Sequence, residues 1–125
     1  GTTDGGSDDG GESGACDLPT NTVYLNNNSE VWYNINSDIG GFQWTIDGAN
    51  GISNTGGDVS LTNFSVSISG ATVLGFSFTG EFVPAGCGIL TYLTLDGEST
   101  GFSNIVFSEV GAGAADIGVT YYIGP

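Results

Sequence analysis

Residues 63 to 78 read NFSVSISGATVLGFSF, and this stretch decides the fold. In its first half Phe64, Val66 and Ile68 alternate with serines. A period of two puts the apolar side chains on one face of an extended strand and the hydroxyls on the other. After Gly70 and Ala71, residues 72 to 78 set Leu74, Phe76 and Phe78 on one side of a second strand.

The same period continues outward in both directions. From Cys16 onward, turn signals recur roughly every eight to twelve residues, the pattern of an all-β sandwich or barrel. Upstream, residues 22 to 25 (TVYL) and 30 to 35 (EVWYNI) flank the polar turn Asn26 to Ser29. Residues 41 to 47 (GFQWTID) place Phe42, Trp44 and Ile46 on one face, and a weak strand at 52 to 55 follows the Asn50-Gly51 turn signal. Downstream of Pro84, residues 88 to 96 contribute Ile89, Leu93 and Leu95. Residues 102 to 108 contribute Ile105 and Phe107; residues 118 to 123 contribute Val119, Tyr121 and Ile123, with a turn around Asp116. The expectation is about nine strands and no capped segment of helical period.

Composition bounds the chemistry. The 125 residues include 14 Asp and Glu and no Lys, Arg or His, for a formal net charge of −14. An average chain of this length has on the order of fifteen Lys and Arg. Without a cation the chain cannot neutralise phosphates or hold an anionic lipid surface, which excludes nucleic-acid and polybasic membrane binding. Schiff-base lysines, histidine bases, arginine clamps and phosphate loops of the Walker type go with them. Two Trp, five Tyr and seven Phe suffice for a single core. Charged residues are only 11% of the chain, so its solvent face is built from Ser, Thr, Asn and Gly. The 23 glycines point away from helices. With neither a Met nor a signal-like apolar stretch, the chain reads as a mature or excised product; no run is long enough to span a bilayer.

Cys16 and Cys87 lie outside any Cys-x-x-Cys or Cys/His cluster and have no basic neighbour to lower a thiol pKa. They read as a disulfide, the alternative being two buried thiols. Such a bridge stabilises a fold by about 4 kcal/mol in the chain-entropy model and implies an oxidising, extracellular location. Residues 1 to 15 (GTTDGGSDDGGESGA) have no large apolar group and read as an acidic, Gly-rich linker or arm ahead of a domain at 16 to 125.

Three segments then carry a family resemblance: GFQWTIDGA at 41 to 49, TVLGFSFTGEFVPAGCGIL at 72 to 90, and SNIVFSEV at 103 to 110. Together they resemble the cohesin-like modules of bacterial secreted and surface proteins, over most of residues 17 to 123. The resemblance implies a nine-stranded jelly-roll sandwich, shared with several carbohydrate-binding modules, and an extracellular setting. Typical cohesins contain basic residues and need no disulfide, whereas here Cys87 sits inside the VPAGCG segment. The fold and setting therefore carry over, and the dockerin-binding residues do not.

Catalysis would have to run on carboxylates, as in glycosidases. Asp47, Asp58, Glu81, Asp96, Glu98, Glu109 and Asp116 are available, but they fall at strand ends and turns, where acids serve as solvated turn formers, and no motif names a pair. No enzyme is expected. Sugar binding needs outward aromatics: with Val31, Tyr33 and Ile35 facing in, Trp32 faces out, and Tyr92 and Tyr122 fall opposite the apolar faces of their strands. These three are either ligand-facing or interface and edge residues; Trp44 is core. No cofactor is expected, with structural calcium open at acidic loops such as Asp96-Gly97-Glu98 with Glu109, or Asp8 and Asp9 with Glu12. Asn27-Asn28-Ser29 and Asn63-Phe64-Ser65 satisfy the N-glycosylation pattern, and a bacterial setting leaves them unmodified.

These readings converge on a non-catalytic extracellular structural module: a tandem-repeat unit or the subunit of a surface or secreted filament, assembling through sheet edges and its amino-terminal arm. The alternative is a recognition module for a polysaccharide or a dockerin-like protein partner.

Overall fold

A computed structural model describes residues 14–111 and 115–123. Residues 1 to 13 of the arm, with its acids Asp4, Asp8, Asp9 and Glu12, lie outside the described residues. Strands β1 (Thr22–Leu25), β2 (Glu30–Ile35), β3 (Gly41–Asp47), β4 (Gly51–Thr55), β5 (Ser65–Ser69), β6 (Thr72–Phe76), β7 (Gly86–Leu95), β8 (Gly101–Ser108) and β9 (Thr120–Tyr121) form two sheets in a sandwich-like arrangement. One sheet runs β4-β7-β2-β1-β9 and the other β5-β6-β3-β8. Neighbours are antiparallel except β1 and β9, which run parallel. Among the described residues the only helical pieces are 3-10 turns at Ala15–Asp17 and Asp58–Leu61.

The core follows from the alternation. Val31, Tyr33 and Ile35 of β2 are buried opposite Phe42, Trp44 and Ile46 of β3. Aromatic rings run through it nearly parallel: Phe64 to Phe42 (5.8 Å, 11°), Phe42 to Trp44 (5.1 Å, 15°) and Trp44 to Phe102 (4.8 Å, 17°). Phe102 then meets Tyr121 edge-on at 5.4 Å, joining the four-stranded sheet to β9 of the other. Such pairs contribute about 0.5–1.5 kcal/mol each beyond area burial.

Three apolar faces differ from the sequence expectation. In β6 the inward residues are Val73 and Gly75, while Leu74 is 40% and Phe78 83% exposed. The Phe42 ring fills the space a side chain at position 75 would take: a Cβ there would lie 2.2 Å from its Cζ. In β7 a register shift opposite Val31/Trp32 turns Leu90 inward. Ile89 pairs with Trp32 on the other face, yet stays 8% exposed. In the last segment Val119 and Tyr121 pack on the core, but Ile123 is 86% exposed because the strand ends at Tyr121.

The amino-terminal turn lies against the outer face of the five-stranded sheet, with Gly14 over the Trp32 ring. Cys16 and Cys87 form a disulfide with Cα atoms 5.1 Å apart, pinning Ala15–Asp17 against β2 and β7. Asn34 Nδ2 donates to the Leu18 carbonyl at 2.7 Å, and Ala15 and Leu18 are buried beneath.

Candidate assembly surfaces

The outer face of the five-stranded sheet carries the predicted aromatics. Trp32 does face outward, but it is half-buried: Gly14 lies so close that a Cβ there would meet the indole at 2.6 Å. Its Nε1 donates to Glu30 Oε1 at 3.0 Å, and that carboxylate oxygen also accepts from Asn26 Nδ2 at 2.6 Å. Tyr122 is likewise half-buried and meets Tyr24 edge-on at 5.9 Å, while Trp32 meets Tyr24 at 6.0 Å with a 59° tilt. Tyr24 joins the group because it pairs with Trp32 across β1 and β2, a register the alternation of either strand alone does not give. These rings are mutually tilted and lack the coplanar faces on which a sugar stacks. Tyr92 stands apart on β7, opposite Thr55 and Glu30, 37% exposed beside Gly56.

At one end of the sandwich a groove of about 430 Å³ is lined by Tyr33, Asp58, Leu61, Pro84 and Cys87, among others. The buried Tyr33 hydroxyl donates to Asp58 Oδ2. Burial first, and then the neighbouring carboxylate, push the phenol far above its ordinary 10.0. This polar pair is satisfied internally and so anchors the Asp58–Leu61 turn to β2. Sequence reading listed Asp58 as a free turn acid; nothing in the spacing of positions 33 and 58 signals the pair.

The remaining acids are dispersed. Glu98 lines a groove with Leu25, Asn26 and Ser99, whereas Glu109 lines another with Gly40, Ser77 and Glu81. The Asp96-Glu98 and Glu109 grouping is therefore not brought together, because Gly101–Ser108 runs between its halves. Asp96 instead accepts from Asn50 N at 2.8 Å, and Asp47 from Ser103 Oγ at 2.8 Å. Asp116 closes a turn by accepting from Gly118 N at 2.8 Å. Among the described residues no three acids or cysteines converge on a point where a metal ion could sit. Asn27 and Asn63 are both exposed in turns.

The four-stranded sheet presents a different exterior. Ser67, Leu74, Gln43 and Val106 form one continuous row across β5, β6, β3 and β8; Ser69, Thr72, Thr45 and Ser103 form the next. Leu74 and Val106 are each 40% exposed and flank Gln43. The alternation of residues 72 to 78 assigns Leu74 to the core, whereas the Phe42 ring over Gly75 fixes the opposite phase and turns Leu74 outward. The middle of this exterior is uncharged; its one acid, Asp47 at the end of β3, sits at the margin and accepts from Ser103 Oγ.

The four sheet edges differ in how they are closed. The β4 edge is broken by a register shift between Gly51 and Ser53, and β9 is only two residues long. The β8 edge is interrupted at Asn104, whose φ is 52°, and is partly covered where Ile117 N donates to the Phe107 carbonyl at 2.7 Å. Strand β5 pairs with β6 in unbroken register from Ser65 to Ser69 and, among the described residues, has no ladder partner on its other side; the start of β4 flanks only its carboxyl end, where Gly51 lies against Ile68 and Gly51 N donates to the Gly70 carbonyl at 2.9 Å. The chain matches no family model, no curated protein and no solved structure.

Proposed function

We propose that this chain is a non-catalytic structural module of an extracellular assembly, a tandem-repeat unit or a filament subunit, built on a nine-stranded jelly roll of the cohesin-like type. The observation that carries the reading is the segregation of charge: acids at turns and strand ends, an uncharged middle to the outer face of the four-stranded sheet, and a β5 edge without a ladder partner. Neutral faces and edges allow like-charged molecules to approach along their sheets while the loops stay solvated. The strand order, with β1 and β9 parallel at one margin, supports the jelly-roll assignment. The disulfide supports an oxidising location. Electron microscopy of the native material, with light scattering of the purified chain at millimolar calcium, tests the role. Fibres or regular arrays are expected; a monodisperse monomer at every concentration, with no ordered native material, would overturn it.

A second reading, recognition of a protein partner such as a dockerin-like module, is favoured by one observation. The Ser67-Leu74-Gln43-Val106 row is a flat strip of small polar and aliphatic groups without charge. A polysaccharide has less support, given the tilted rings around Tyr24 and the cover over Trp32. Titration with a broad glycan panel, followed by tryptophan fluorescence, is expected to leave the emission unchanged.

A further inference from the structure

We infer that the free edge of β5 is a self-pairing contact, joining two copies of this chain antiparallel about Ser67 into one continuous sheet. This rests on the assembly reading and names one of its contacts.

The backbone comes first. Ser69 and Thr72 flank the two-residue loop Gly70-Ala71, with Gly70 at φ 59°, and face each other in the ladder. In a hairpin of this kind the residues flanking the loop form a hydrogen-bonded pair, and such pairs alternate along the strands. Ser65, Ser67 and Ser69 therefore spend their N–H and C=O groups on β6. The same groups of Val66 and Ile68 point away from it and have no backbone partner among the described residues.

Among the described strands this is the edge with the fewest devices that block pairing, the start of β4 flanking only its carboxyl end at Ile68 and Gly70. It carries no charge, proline or bulge, and it is longer than β9. Its flat register and β-branched content are what a second strand needs.

Charge selects the second copy as occupant. The β5–β6 hairpin sits inside the longest acid-free run of the chain, residues 59 to 80, in a molecule of net charge −14 without a basic side chain. Two copies would repel wherever their loops approach and least where this run meets itself. The sequence SVSIS is also close to self-complementary about its centre. Antiparallel pairing sets Ser67 opposite the copy's Ser67, while Val66 exchanges both backbone bonds with the copy's Ile68, and Ile68 with its Val66. The half-buried Val66 and Ile68 then lose their remaining exposure on the inner face. The arm is a poorer donor strand: its Gly and Asp content disfavours extended pairing, and its acids add repulsion.

A two-fold contact of this kind closes on itself and gives a dimer, so a filament needs a second, different contact. The test is sedimentation equilibrium of the full chain with Ser67→Glu, Ser67→Lys and a Ser53→Glu control on β4. Wild type and the control are expected to dimerise with rising concentration. Each Ser67 variant should associate about tenfold or more weakly, since like charges then sit directly opposite. An equimolar mixture of the Glu and Lys variants should dimerise again. Amide exchange by NMR should show Val66 and Ile68 protected only in the dimer, with Ser65, Ser67 and Ser69 protected in both states. If wild type assembles while Ser67→Glu assembles equally well and the Val66 and Ile68 amides stay unprotected, the β5 contact is wrong and the assembly reading survives. A wild type that remains monomeric in solution and in its native material overturns both.

Discussion

Gly75 shows how one residue sets the phase of a strand. No unusual backbone angle requires glycine there; the Phe42 ring does, by occupying the space of the absent side chain. Gly75→Ala is expected to force the ring off its stack against Trp44 and Phe64 and to cost about 1–3 kcal/mol, read as a drop in denaturant midpoint at unchanged slope. Tyr33 is the second residue whose environment makes a prediction. Its phenol is neutral when protonated, and the folded pKa lies above the unfolded value of 10.0. Its contribution is therefore complete below pH 10 and is lost as pH rises above that, by at most about 1.4 kcal/mol per pH unit. Tyr121 shifts the same way, also by burial, with its bond to the Leu25 backbone opposing. Tyr33→Phe should flatten the alkaline arm of a stability-against-pH curve. At neutral pH it should cost about 1–3 kcal/mol, because the hydrogen bond to a carboxylate is lost. A wild-type curve that stays flat as pH rises above 10 would contradict the assignment.

Among the elements, those with simple alternation were legible and those with a bulge were not. In β2 and β3 large apolar residues mark the inner face at every second position, so Val31, Tyr33, Phe42 and Trp44 were readable from sequence. In β7 the extra residue opposite Val31/Trp32 exchanges the faces of Ile89 and Leu90, and sequence alone does not place a bulge. The outward direction of Trp32 was legible; its cover was not, because that depends on where the disulfide holds the amino-terminal turn. The bridge spans 71 residues of chain, and replacing both cysteines by serine is expected to cost about 4 kcal/mol. The same change should release the turn from Trp32, so its emission should move to longer wavelength while buried Trp44 keeps a short-wavelength component. If stability falls with no change in emission, the turn is held by Asn34 and Leu18 without help from the bridge.

For the molecule as a whole, the absence of basic side chains fixes the sign of its salt dependence. A contact held by ion pairs weakens as salt screens them; here no side chain can serve as a cation, and a neutral strand contact opposes the repulsion of two bodies each carrying −14. Raising ionic strength shortens the screening length from about 30 Å at 0.01 M to about 10 Å at 0.1 M. Association should therefore strengthen steadily across a sodium chloride series, with the steepest change at low salt. Lowering pH into the carboxylate range, about 4, should act in the same direction as the carboxylates lose charge. Both effects fall on encounter between whole molecules, so the Ser67→Glu variant should show the same slope displaced to weaker association. Sedimentation equilibrium at several salt concentrations measures this directly. Dimerisation that weakens with added salt would mean the copies meet through charge, contrary to a neutral β5 contact.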